Sequence, residues 1–194
     1  MEKDGDITSY IKKAFKQSDY QQKLVENRSF DNCQFTGCNF NSATFYNCRF
    51  DNCVFDSCDL SLLNIKHTSF YKVAINNSKA IGIKWFEASN PFDVNFANTV
   101  ISYSSFFGKS LKKNKLVDCV AEDVDFTDCN CMLANFSGTS LPNARFFNTD
   151  LSQANLATAT HYSIDPKTNK LKKAKFSLPE AASFLHHLGI ELVD

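Results

Sequence analysis

An apolar residue, most often phenylalanine, recurs at every fifth position through most of this chain. Phe30, Phe35, Phe40, Phe45, Phe50, Phe55, Leu60, Ile65, Phe70 and Ile75 run without a break. A second train runs from Phe96 through Phe106, Leu116, Phe126, Phe136 and Phe146 to Leu156, one residue out of step with the first. Neither an α-helix nor a flat strand has that period. Five residues are therefore one structural unit that the chain repeats.

The residue two places before each apolar centre forms a second column. It reads Cys33, Cys38, Ala43, Cys48, Cys53 and Cys58 early on, and Thr99, Ser104, Cys119, Cys129, Ala134 and Thr139 later. Small uncharged residues suit a second inward-facing position in a narrow core. The remaining three positions carry most of the Asp, Asn, Lys, Ser and Thr, so they face water. A unit this short cannot bury its apolar residue alone, but stacked turns of a coil can.

Cys58-Asp59-Leu60-Ser61, Ala134-Asn135-Phe136-Ser137-Gly138, Asp150-Leu151-Ser152 and Ala154-Asn155-Leu156 resemble the motif of the pentapeptide-repeat family. The resemblance implies an all-β solenoid, a right-handed quadrilateral β-helix with four units per turn. Its turns would stack at the ordinary strand spacing of about 4.8 Å. It covers residues 26–160, between an N-terminal segment (1–25) and a C-terminal one (161–194). One turn apart, Cys33 would lie over Cys53 and Cys38 over Cys58.

The 19 phenylalanines belong to the repeat, where offset ring stacks would follow the rod. Seven of the eight cysteines take the small inward position and Cys131 a central one. Packing explains that pattern, and we expect reduced thiols and no metal. With 21 basic and 21 acidic residues, charge argues against direct nucleic-acid binding. No apolar run reaches the ~20 residues of a membrane span, nor is there a signal-peptide core, so the expectation is a cytoplasmic protein off the membrane. His67, His161, His186 and His187 are scattered. No nucleophile-and-base pair or Gly-rich phosphate loop is present, which argues against an enzyme, a cofactor or a small-molecule substrate.

Ile7, Tyr10, Ile11, Ala14 and Phe15 have helical spacing, with Asp4 or Asp6 as N-cap. They predict a helix that either caps the first turn or meets a partner or membrane surface. The register step falls between Asn76 and Asn95. Keeping the first register buries Ser78, Ile83 and Ala88, whereas the second would bury Lys79 and Lys84, which favours a late step; against this, Trp85-Phe86 resembles the stretch that resumes the second register in Qnr-type proteins, so the exact site stays open. Trp85-Phe86 could fill the resulting gap. Lys109 and Asn114 fall on inward positions, so that turn should be distorted or open. The run Lys109, Lys112, Lys113, Lys115 reads as a solvated face or a partner patch.

Ser177-Leu178-Pro179-Glu180 fits a capping box, predicting a helix to about Leu188 that Gly189 terminates, then a short strand. Leu178, Ala181, Ala182, Leu185, Leu188, Ile190 and Leu192 form an apolar surface suited to a dimer contact or to an end cap. Ile164-Asp165-Pro166, this helix and Leu188-Gly189-Ile190 resemble the terminal module of Qnr-type quinolone-resistance and microcin B17 immunity proteins, as Trp85-Phe86 resembles Qnr. The unbroken first train and the one-residue step leave no room for the two projecting loops of Gram-negative Qnr proteins.

That resemblance implies a homodimeric, DNA-shaped rod that binds DNA gyrase or topoisomerase IV and protects it from quinolones or toxins. Surface carboxylates would stand in for phosphates, with Asp31, Asp51, Asp56, Asp59, Glu122, Asp123, Asp125 and Asp128 as candidates. The competing expectation is a general protein-interaction scaffold, because fold alone does not assign function.

Overall fold

A computed structural model describes residues 7–187. The chain winds into a parallel β-solenoid in which each short strand pairs with one twenty residues later. Thr8–Ile11 lies against Arg28–Asp31, then Arg49–Asp51, then Ser69–Asn76. Ala14–Lys16, Gln34–Thr36 and Val54–Asp56 stack alike, as do Leu24–Glu26 and Thr44–Tyr46. The bridges Asp19↔Asn39↔Asp59 complete the turn. Four five-residue sides therefore close each turn, here called side A (through Phe50), B (Phe55), C (Leu60) and D (Ile65).

Local chemistry makes the corners. The residue two places after each centre is left-handed, as at Asn32, Asn47, Asn52 and Asn77, with φ of 51–52°; asparagine tolerates this region better than most. At the same corner of a later turn stands Gly138, where a Cβ would lie 1.9 Å from Asp118 Oδ1. The Asp or Asn before the centre is also part of the turn. Asp59 accepts the amide of Ser61 at 2.9 Å, and Asn135 that of Ser137 at 3.1 Å, a side-chain mimic of a backbone turn.

Inside, the central rings stack along the axis. Phe30 and Phe50 lie 4.8 Å apart at 7°, Phe35 and Phe55 4.6 Å apart at 9°. Rings on adjacent sides meet edge to face, as Phe30 and Phe35 do at 5.3 Å and 72°. Such pairs contribute about 0.5–1.5 kcal/mol each beyond their buried area.

The second inward column does more than pack. Thr139 Oγ1 donates to the carbonyl of Leu116 at 2.6 Å and accepts the amide of Cys119 at 3.2 Å. The thiols of Cys53 and Cys129 face the carbonyls of Phe30 and Phe106 at 3.4 and 2.9 Å. Buried carbonyls where the ladder bends thus find donors. The preference for Cys, Thr and Ser has a polar reason that packing alone missed.

The register step is late. Ser69 pairs with Ser89, twenty residues on, but Val73 pairs with Val94, twenty-one on, with bulges between Ser89 and Val94. Ser78, Ile83 and Ala88 are buried while Lys79 and Lys84 are exposed. Trp85 is fully buried, edge-on to Phe70 and Phe96 and stacked on Phe106.

Both ends differ from expectation. From residue 7 the N-terminal segment is strand, not helix. Tyr10, Phe15, Tyr20 and Val25 extend the five-residue train inward, with Tyr10 stacked on Phe30 at 5.1 Å, while Ile7 and Ile11 are exposed. Pairing with the next turn satisfies a row of backbone groups that a helix would leave open. The N-cap candidates Asp4 and Asp6 lie outside the described residues. At the other end the ladder continues past residue 160, to Asp150↔Lys170 and Asn155↔Lys175. The C-terminal helix is short, a 3-10 turn at Glu180–Ala182 followed by Ser183–His186. The capping box does not form, because Glu180 Oε2 instead accepts the amide of His161 at 3.0 Å. Phe184 closes this end, 4.8 Å from Phe176 and edge-on to it.

Candidate interaction surface

Each side presents two outward residues flanking its buried centre, plus a corner residue, and the twenty-residue turn aligns them in columns. Function on such a rod lies on those columns. Among the described residues no helix is long and apolar enough to cross a membrane.

The eight candidate carboxylates do not converge. Asp31 and Asp51 are on side A, Asp56 on side B, Asp59 and Glu122 on side C, and Asp125 on side D. Asp123 and Asp128 are corner residues. Several are occupied within the fold. Asp56 accepts from Asn77 at 2.7 Å, Asp128 from Asn148 at 2.6 Å, and Asp125 from the amide of Thr127 at 3.0 Å. Asp51 is not a surface residue as expected. It is buried beneath its ion pair with Arg49, and its Oδ1 has no hydrogen-bond partner.

Past the register step, charge is sorted by side. Lys112, Lys113 and Lys115 lie on side A, the A/B corner and side B. Three turns later Lys172, Lys173 and Lys175 occupy the same columns, and Lys170 the column of Ser110. Glu122, Asp123 and Asp125 stand on sides C and D, beside Arg145, which the ladder pairs with Asp125, and Asp128 is at the D/A corner; the charge of Glu122 foremost pushes the Tyr103 phenol up. Asp150 is an acid on the basic edge. Its burial opposes ionisation, but hydrogen bonds from Ser152 and the charge of Lys170 outweigh it and hold its pKa below the usual carboxylate range.

Side D carries an aromatic column that sequence reading did not isolate. Tyr46, Phe86, Phe107 and Phe147 follow the centres Phe45, Trp85, Phe106 and Phe146, and all four are exposed, with Lys66 and Thr127 at the same position of the two intervening turns. The signal was present as paired aromatics, Phe45-Tyr46, Trp85-Phe86, Phe106-Phe107 and Phe146-Phe147, whose second member cannot point inward on a strand.

The turn expected to be distorted or open lies against the bulged strand and is closed by its polar residues. Where the bulge interrupts the ladder, Lys109 Nζ reaches the carbonyl of Ala88 at 2.5 Å and lies over the Phe92 ring. Asn114, buried, donates to the carbonyl of Val94 at 2.8 Å. Burial pushes the Lys109 ammonium pKa down. All eight cysteines are buried and free. Burial pushes Cys53 up to about 12 and Cys58 and Cys119 to about 11, so thiolate nucleophiles are scarce.

Of the dimer candidates, Leu178 is 82% exposed, while Ala181, Ala182 and Leu185 are half-buried. Leu188, Ile190 and Leu192 lie outside the described residues, as do Gly189 and the expected strand.

Two family models match, "Pentapeptide repeat region" over residues 28–106 and "Pentapeptide repeats (8 copies)" over 129–159, together more than half of the chain. No curated protein sequence matches. Among solved structures, trypsin-treated QnrB1, a plasmid-mediated fluoroquinolone resistance protein, is similar with a TM-score of 0.72 at 20% identity. The likeness covers 96% of this chain and 98% of that one. Full-length QnrB1 gives 0.57 at 20% identity, over 94% and 100%. HetL, a pentapeptide repeat protein involved in heterocyst differentiation regulation from the cyanobacterium Nostoc sp. strain PCC 7120, gives 0.63 at 14% identity, over 89% and 86%. At these identities the likeness is one of fold.

Proposed function

The chain belongs to the pentapeptide-repeat family, and on that premise we propose that it is a non-enzymatic rod that binds DNA gyrase or topoisomerase IV. Bound there, it protects the enzyme from quinolones or from toxins that trap cleaved DNA. The observation that carries this reading is end-to-end likeness to QnrB1, covering 96% of one chain and 98% of the other. A homodimer joined through Leu178 and its neighbours would extend the rod to a length over which it could replace a DNA segment. The partner enzymes place the protein in the cytoplasm.

Shape supports this reading more than charge does, because the carboxylates are spread over four sides. The negative strip on sides C and D, from Glu122 to Asp128, is the surface most suited to a basic DNA-binding channel. Gyrase supercoiling assays with and without a fluoroquinolone test the reading. Restored supercoiling in the presence of drug supports it. No change in either condition at micromolar protein sinks it.

A second reading, a scaffold for another protein partner, is favoured by the exposed aromatic column on side D. Aromatic residues are enriched at interface hot spots. Phe107→Ser should leave drug protection intact if gyrase contacts the carboxylates from Glu122 to Asp128, and should abolish capture of another partner if the exposed aromatic side chains make the contact.

A further inference from the structure

Net neutrality argued against nucleic acid, yet neutrality is a sum and the fold separates its parts. Lys112, Lys113 and Lys115 surround the A/B edge in one turn, and Lys172, Lys173 and Lys175 surround it three turns later. The ladders Lys115↔Asn135↔Asn155↔Lys175 and Ser110↔Asn130↔Asp150↔Lys170 fix that alignment. Along the edge between them stand uncharged Met132, Leu133, Ser152 and Gln153. All six lysines are exposed. Two acids stand on this edge: Asp150, held by Ser152, and Asp93, which lies one turn before Lys113 and accepts from Asn114 at 3.3 Å. Glu122, Asp123 and Asp125 lie on the other sides, and Asp128, at the D/A corner, accepts from Asn148.

Three turns at about 4.8 Å separate the two lysine trios by about 14 Å, close to the roughly 12 Å width of a B-form major groove. Two compact cation clusters at that spacing, with a neutral saddle between, fit phosphates on the two rims of a groove. A membrane surface would call instead for a continuous basic patch with several large apolar anchors, whereas Leu133 is the one exposed large hydrophobic of this saddle. We infer that the A/B edge is a docking surface for duplex nucleic acid, which binds through its phosphates and without base reading. This stands apart from the topoisomerase reading, since duplex is bound with no enzyme present.

Anisotropy of a short labelled DNA duplex titrated with the intact protein tests it. Association should weaken about 10³-fold between about 50 and 200 mM salt as about six phosphates are neutralised. Lys112→Gln/Lys113→Gln and Lys172→Gln/Lys173→Gln should each reduce the slope of log K against log salt by about two. Glu122→Gln/Asp123→Asn should leave that slope unchanged. Thermal midpoints identify any variant that fails to fold, and because the pairs are three turns apart, either one alone suffices. No anisotropy change at the lower salt, an unaltered slope in the folded lysine variants, or binding to phosphatidylserine vesicles without binding to duplex overturns the inference.

Discussion

The hydroxyl of Thr68 donates to the carbonyl of Phe45, one turn earlier, at 2.9 Å, and the same oxygen accepts the amide of Cys48 at 3.2 Å. One side chain thus satisfies two buried backbone groups at a corner where the ladder bends. Thr68→Val keeps shape and volume but satisfies neither group. It should cost roughly 2 kcal/mol, since each orphaned buried polar group costs about 1–3. Thr68→Ser should cost well under half as much. Urea denaturation reads both, and equal losses would reduce the column to packing.

At the register step the same logic uses larger side chains. Asn114→Ala leaves the Val94 carbonyl without its donor and should destabilise by about 1–3 kcal/mol. Lys109→Met leaves that of Ala88, with a pH signature. Burial lowers the Lys109 pKa in the fold, so the unfolded chain holds that proton more tightly. Stability therefore rises with pH between the depressed folded value and the unfolded value near 10.4. The native protein should gain on Lys109→Met across that alkaline window, and parallel stability curves would deny Lys109 its buried contact.

Cysteine chemistry gives a further check. Burial raises Cys53 to about 12 and Cys58 to about 11, so a thiolate-selective alkylating reagent near neutral pH should leave these residues unlabelled in the folded protein. Labelling should follow unfolding by urea. Rapid modification of Cys53 in the native state would contradict its place beneath Phe30.

How far the sequence reaches is clearest at Phe50, Lys109 and Tyr10. The five-residue period put Phe50 inside because a solenoid repeats one local decision, and each copy confirms the others. It marked Lys109 and Asn114 as anomalies, but their role depends on carbonyls twenty residues away that a bulge leaves open, which no local pattern displays. Tyr10 and Phe15 were misassigned because they satisfy both i, i+5 and the helical i, i+4 set, while Lys13 and Lys23 fill the column where later turns carry Cys or Thr. Of the candidate surface, charge sorting was hidden because net charge carries no directions.

Asp51 separates surface carboxylates from structural ones. As a surface residue its replacement by lysine would be nearly neutral, but it is buried and paired with Arg49. Asp51→Lys should therefore cost more than about 2 kcal/mol, by placing a buried, unpaired cation next to Arg49. Asp123→Lys, at an exposed corner, should stay within about 0.5 kcal/mol. Thermal melts distinguish them, and equal effects would contradict the assignment.

The C-terminal helix has two candidate tasks, and its residues divide them. Phe184 packs on Phe176 and Tyr162, so Phe184→Ala should loosen the last turn and lower the thermal midpoint. Leu178 is 82% exposed among the described residues. If the proposed dimer forms here, Leu178→Asp should convert it to monomer in sedimentation equilibrium with an unchanged circular dichroism spectrum, because a charge cannot be buried unpaired across an apolar contact. A wild-type chain that is already monomeric at high micromolar concentration would remove the dimer. It would leave the helix as an end cap that depends on Phe184.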